Sequence, residues 1–161
     1  MPTKPLISKQ VESSINAAIA SELYASHLYR HIANHMQRLG YFGAQKFFQA
    51  EAGHEVEHSQ MLVDYLNDMG VVASMPMVDA ITEDIASLAD ALEAAYDTEA
   101  QLLKDYVARH ASSDPVTQQF LLQFIEIQRK AVGEFGDLIS RLDRCGDDKC
   151  ALLMLDKELG E

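Results

Sequence analysis

The sequence of 161 residues contains no tryptophan, and only four prolines and eight glycines interrupt it. Proline cannot continue a helix and glycine weakens one, so their scarcity, with abundant alanine, leucine, glutamate and glutamine, favours helices. Cysteine is scarce as well, since the sequence contains two, Cys145 and Cys150. No companion cysteine or histidine stands at the spacing of a zinc site, and we expect two free thiols rather than a disulfide.

Positive charge is scarce too, because 13 lysines and arginines stand against 25 aspartates and glutamates, for a net charge of -12. A surface of this sign repels nucleic acid and anionic membranes and attracts cations. No stretch reaches the roughly 18 apolar residues of a membrane span, and the first ten residues lack the apolar run of a signal peptide. We therefore expect a cytoplasmic protein, a single domain over residues 1–161, with neither nucleic acid nor a membrane as partner.

Signals for the start and end of helices divide the chain into five helices. Ser8 and Ser87 are predicted N-caps, Asp114 with Pro115 opens another helix, and Gly40 and Gly146 are predicted stops. The predicted helices are A from Ser8 to Leu39, B from Tyr41 to Met69, C from Ser87 to Ala111, D from Asp114 to Arg144, and a short fifth helix, capped by Asp147 or Asp148, that ends at Leu159.

The lengths of the connections predict the topology. Helices A and B are joined tightly, as are C and D, so each pair should form an antiparallel hairpin. The connection between B and C, about sixteen residues over 71–86, is too long for an ordinary loop inside a compact domain. If it runs the length of the bundle, helix C starts at the end opposite to where B stops. The prediction is an all-α four-helix bundle with one long B–C crossover.

Each helix carries an apolar stripe that a polar side chain interrupts near its middle. Those side chains are Glu22 on A, Glu51, Glu55 and His58 on B, Glu99 on C and Gln128 on D. Glu55 and His58 are three residues apart and therefore share a helix face. At ~1.5 Å per residue, Glu22 and Glu55 both lie roughly 21 Å from the same end of the bundle, with Glu99 and Gln128 at about that level. The sequence therefore predicts one polar layer inside the bundle.

Three carboxylates and an imidazole inside a bundle cannot all stay ionised without a cation. Mixed oxygen and nitrogen ligation suits iron, manganese or zinc, and with only one histidine a carboxylate-bridged pair of irons fits best. We expect Glu55 to bridge the pair, with Glu22 and His58 on one iron and Glu99 on the other. Gln128 can hydrogen-bond a bound water or oxygen species. The alternative, a polar network that only fixes helix register, is disfavoured because four helices contribute at one depth.

Tyr29 follows Glu22 along helix A and is the second candidate catalytic residue beside Gln128. Its hydroxyl can hydrogen-bond a ligand or donate an electron, although a core tyrosine with a satisfied hydroxyl is the commoner role. Helix A also carries His27, His31 and His35 at steps of four, off the core stripe. A polar face at a subunit contact is favoured for this row over a surface metal site.

These residues resemble the ferroxidase pattern of the ferritin family, and the resemblance covers nearly the whole chain. The matching segments are Glu22-Leu-Tyr24 with Tyr29, Glu55-Val-Glu-His58, Tyr96-Asp-Thr-Glu99, Gln128 and the closing Leu155-Asp-Lys-Glu158-Leu, and they look like prokaryotic non-haem ferritins. The resemblance implies a ferritin-like domain, a hollow homo-24-mer, oxidation of Fe(II) by O2 at a dinuclear site, and a stored ferric mineral.

The chain departs from related families at several positions. Gln128-Arg-Lys-Ala131 stands where bacterioferritins and rubrerythrin-like oxidases carry a second Glu-x-x-His, so the second iron should be held less tightly. Val56 stands where bacterioferritins carry the haem-binding methionine, and no haem is expected. The positions of a third iron site in some bacterial ferritins are not acidic here, which argues against that site. The alternative functions are a diiron oxidase or peroxidase that stores nothing, and a non-enzymatic shell or metal-buffering bundle.

Overall fold

The computed structural model describes residues 4–161, and within them all regular secondary structure is helical. The helices are α1 (Lys9–Leu39), α2 (Phe42–Asp68), α3 (Leu88–Ala111), α4 (Pro115–Cys145) and α5 (Lys149–Leu159). The all-α prediction is confirmed, and each predicted helix end differs from the observed one by no more than a single residue. None of the helices in the described part of the chain is both long and apolar enough to cross a membrane.

Local side chains explain most of the helix ends. Ser8 accepts a hydrogen bond from the Val11 amide, and Ser87 accepts one from the Asp90 amide. Asp114 caps α4. Of the two candidate caps of α5, Asp148 is the one that accepts hydrogen bonds from the first backbone amides of the helix. Gly40 ends α1 with a φ of 86°, which a residue with a side chain rarely adopts.

The connection between α2 and α3 runs along α1 as an extended crossover. The Ser74 amide donates to the Asn16 side chain near one end of α1, and the Tyr24 hydroxyl donates to Glu83 further along it. Val71 and Ile85 are buried and fix the two ends of the crossover to the bundle. Helix α3 therefore starts at the end of the bundle opposite to the end of α2, which confirms the predicted topology.

The core consists of two apolar clusters separated by a layer of polar side chains. On α2 one cluster ends at Ala52 and the other begins at Leu62. Between them lie Glu55 and His58, which belong with Glu22, Glu99 and Gln128 to the polar layer predicted from the sequence. The layer lies between these two clusters, so its polar groups have apolar side chains above and below them.

Helix α5 packs on the start of α2 and provides the cap that α2 lacks locally. Tyr41 precedes α2 and makes no side-chain hydrogen bond to it. Asp156 of α5 instead accepts hydrogen bonds from the backbone amides of Gly43, at 3.1 Å, and Ala44, at 2.7 Å. The two helices are so close that a Cβ on Gly43 would come within 1.8 Å of the Asp156 carbonyl oxygen. Cys145 and Cys150 flank the α4–α5 junction as free thiols.

Candidate metal centre

The polar layer brings together side chains from four helices at the predicted depth. Glu22 and Gln128 are 0% exposed, Glu99 is 1% exposed and Glu55 is 2% exposed. His58 is more open, with 17% of its side chain exposed. A carboxylate that is removed from water this completely is costly unless a proton, a hydrogen bond or a cation compensates it. The layer is therefore not an ordinary part of a helical core.

Glu22, Glu55 and His58 form the tightest part of the layer. Each offers one ligand atom, and these atoms all lie within 4.8 Å of one another. His58 Nδ1 lies 3.2 Å from Glu55 Oε2 and 3.7 Å from Glu22 Oε2. Within residues 4–161 no other set of three or more histidine, cysteine and carboxylate side chains converges in this way. These three residues could hold one metal ion.

Several polar atoms of the layer have no hydrogen-bond partner. They are Glu22 Oε2, Glu99 Oε2 and both amide atoms of Gln128. Because buried polar atoms are almost always paired, four unpaired atoms in one layer indicate a ligand that the side chains are built to hold. Carboxylate oxygens with one imidazole nitrogen suit iron, so the donor set fits the metal that the sequence predicts.

Two buried tyrosines donate hydrogen bonds into the layer. The Tyr29 hydroxyl donates to Glu99 Oε1, and the Tyr106 hydroxyl donates to Glu22 Oε1. The sequence predicts Tyr29 as a participant and misses Tyr106, which lies on the helix C stripe as an apparent core residue. The sequence does contain a signal for Tyr106, because it follows Glu99 by the same seven residues that separate Tyr29 from Glu22.

The pKa values of the layer reflect burial and the crowding of like charges. Burial raises the pKa of Glu99 to about 7, despite the hydrogen bond from Tyr29. Burial, together with the neighbouring Glu22, also raises the pKa of Glu55. For His58, burial favours the neutral ring, but the adjacent Glu22 and Glu55 carboxylates outweigh it and raise the pKa to about 10. The metal-free layer therefore retains protons that a cation would displace.

Two other polar groups that the sequence singles out lie outside this cluster. Glu51 is not among the converging ligand atoms of Glu22, Glu55 and His58. Its carboxylate lies 3.2 Å from His54 Nδ1, and its side chain is 19% exposed, about as much as that of His58. In the histidine row of α1, the rings of His31 and His35 are 4.5 Å apart between centroids. His31 Nε2 donates to the Glu83 carbonyl oxygen at 2.8 Å, so this row is tied to the crossover.

Comparison with known proteins identifies the family to which the chain belongs. The family model described as a ferritin-like domain matches residues 12–145. The bacterial non-haem ferritin of Staphylococcus aureus is 29% identical over 160 residues, and a probable bacterial non-haem ferritin-like protein of Haemophilus influenzae is 26% identical over 159 residues, each with 96% of both chains covered. An engineered closed form of the Archaeoglobus fulgidus ferritin superposes with a TM-score of 0.93 at 25% identity, covering 96% of each chain. The chain therefore belongs to the ferritin family, and its resemblance to prokaryotic non-haem ferritins is confirmed.

Proposed function

We propose that this protein is an iron-storage ferritin that oxidises Fe(II) with O2 in the polar layer and deposits ferric mineral inside a hollow shell. The observation that carries the proposal is the set of buried, unpaired carboxylate oxygens beside His58. Fe(II) is the substrate, and each ion delivers one electron when it is oxidised. Two ions held together can give two electrons to one O2 molecule in a single encounter.

The side chains have distinct roles in this proposal. Glu22, Glu55 and His58 hold the first iron, and Glu55 with Glu99 holds the second. The protons that Glu55 and His58 carry in the metal-free protein leave as the cations arrive, which balances the charge of the buried layer. Gln128 offers an amide without a partner to a water or oxygen species, and Tyr29 fixes Glu99 through its hydroxyl.

The layer is asymmetric, and this supports storage over a permanent diiron cofactor. In place of a second Glu-x-x-His, α4 presents Gln128 and Ala131, while Lys130 points away and lies 3.7 Å from Glu126. The second iron therefore has fewer protein ligands than the first. A loosely held ion can leave the site after oxidation, as deposition of a mineral requires.

Assembly into a homo-24-mer, as the family implies, is part of the proposal. The crossover exposes Val72, Met75 and Met77, and exposed apolar side chains of this kind favour a contact with another copy of the chain. A cytoplasmic location, where Fe(II) and O2 meet, belongs to the same proposal.

Aerobic addition of Fe(II) to the assembled, metal-free protein, followed by size-exclusion chromatography with iron analysis, tests the function. Storage predicts many more than two irons per subunit in the large particle. A plateau near two irons per subunit would instead indicate a non-storing oxidase or peroxidase, and a lack of catalysed oxidation would indicate a non-enzymatic shell. Glu22→Gln should slow the initial oxidation about tenfold or more, whereas Glu57→Gln, an exposed carboxylate on α2, should leave it unchanged.

A further inference from the structure

Helices α1 and α3 exchange two buried tyrosine–carboxylate hydrogen bonds across the polar layer. Tyr29 of α1 donates to Glu99 of α3, and Tyr106 of α3 donates to Glu22 of α1. On each helix the tyrosine follows the glutamate by seven residues, which is about two helical turns. Because the two helices run antiparallel, each tyrosine lies opposite the other helix's glutamate. The two pairs are therefore reciprocal.

Each tyrosine occupies one oxygen of its glutamate and leaves the other free. The acceptors are Glu22 Oε1 and Glu99 Oε1, and the unpaired atoms are Glu22 Oε2 and Glu99 Oε2. Glu22 Oε2 is the oxygen that lies 3.7 Å from His58 Nδ1, on the side of the other ligand atoms. A carboxylate held by a donor at one oxygen presents the remaining oxygen to a metal in a fixed direction.

The Tyr106 ring is itself held in place. It stacks on Phe124 of α4, with centroids 5.0 Å apart and planes 20° apart, and it is 1% exposed. Phe124 also contacts His58 in an edge-to-face arrangement, with the two ring centroids 6.4 Å apart. Phe124 therefore supports both the residue that holds Glu22 and the imidazole beside Glu22.

We propose that Tyr106 is a positioning residue for the first metal ion, because its hydroxyl holds Glu22 Oε1 and directs Glu22 Oε2 toward Glu55 and His58. Tyr29 does the same for Glu99 at the second ion. Each half of the centre thus has its own tyrosine, supplied by the helix that does not carry the glutamate. This inference rests on the proposed function, since it assigns Glu22 to a metal.

The test is Tyr106→Phe, which keeps the ring and its stacking on Phe124 and removes only the hydroxyl. Co(II) is titrated into the assembled, metal-free protein without O2, and the visible absorption of Co(II) reports affinity and coordination at each site. The first Co(II) should bind about tenfold more weakly with an altered spectrum, and the second should be unaffected. Tyr29→Phe should give the reverse pattern. Tyr65→Phe is the control, because its hydroxyl pairs with Thr117 at 2.9 Å, outside the polar layer.

Three results separate the possible failures. If Tyr106→Phe binds both Co(II) ions as the parent protein does while Glu22→Ala loses the first, the positioning role is wrong and the metal site stands. If Tyr106→Phe weakens both ions equally and lowers the unfolding temperature more than Tyr65→Phe does, the hydroxyl only stabilises the bundle, and the inference is overturned. If Glu22→Ala retains both ions, the assignment of the metal site itself fails.

Discussion

At the scale of single residues, four polar side chains with 0–2% exposure are buried in the middle of an otherwise apolar bundle. Glu22, Glu55, Glu99 and Gln128 interrupt apolar stripes, so their burial follows from helical periodicity alone, and the structure places all four in the core. The partner of Tyr29 does not follow from periodicity, because it lies on another helix. Glu51 also lies on the apolar stripe of α2, yet its carboxylate contacts His54, three residues further along the same helix. A position on the stripe therefore does not identify a ligand by itself.

Glu99 provides a prediction about pH at the same scale. Its pKa in the folded protein, about 7, lies above its ordinary value of 4.5, so the folded state binds this proton more tightly than the unfolded state. The stability that the proton provides is complete at acid pH and is lost as the pH rises from 4.5 to about 7. Glu99→Gln cannot lose a proton and still offers a carbonyl oxygen to the Tyr29 hydroxyl.

In the presence of a chelator, the free energy of unfolding of Glu99→Gln should therefore rise relative to the parent protein between pH 5 and pH 7. Urea unfolding of both proteins at several pH values measures the difference, with Glu57→Gln as the exposed control. A difference that is constant across this range would show that Glu99 is ionised in the metal-free bundle.

At the scale of elements, caps made by neighbouring residues are readable in the sequence and caps made by distant residues are not. Three of the helix caps are local: the side chains of Ser8, Ser87 and Asp114 accept hydrogen bonds from backbone amides two or three residues further along the chain. The helices that they cap begin where predicted. The start of α2 is different, because its first backbone amides donate hydrogen bonds to Asp156, which lies more than a hundred residues away in the sequence. No local pattern contains that information, since it depends on the docking of α5.

Asp156→Ala should loosen the start of α2 by about 1–2 kcal/mol, because two backbone amides lose a charged acceptor at a helix N-terminus. The amides of Gly43 and Ala44 should exchange hydrogen with solvent faster, as mass spectrometry of peptides from this region would detect. Asp147→Ala is the matched control, since Asp147 is exposed and Asp148 provides the cap of α5. Equal exchange in both variants would show that packing alone secures the α2–α5 junction.

At the scale of the whole molecule, the topology could be predicted because the length of the 71–86 connection leaves few ways to close a four-helix bundle. The polar layer could be placed within it because residue counts along straight helices give depth. The contacts between copies in the proposed shell could not be derived in the same way, since one chain specifies its own core far more strongly than its neighbours. The four helices do not contribute equally to the polar layer, because α4 provides the amide of Gln128 where each of the other three helices provides a carboxylate. The layer is therefore asymmetric.

That asymmetry predicts how the protein responds when the missing ligands are supplied. Gln128→Glu combined with Ala131→His builds a Glu-x-x-His pair on α4, since the two positions are three residues apart on one helix face. The second iron should then be held tightly, so the first two irons per subunit should still be oxidised while later additions are stored poorly. Iron retained per particle after repeated Fe(II) additions measures this, with Gln128→Glu combined with Lys130→His, whose new histidine is exposed, as the control. If the double variant stores as much iron as its parent, release from a loosely held second site does not limit mineral growth.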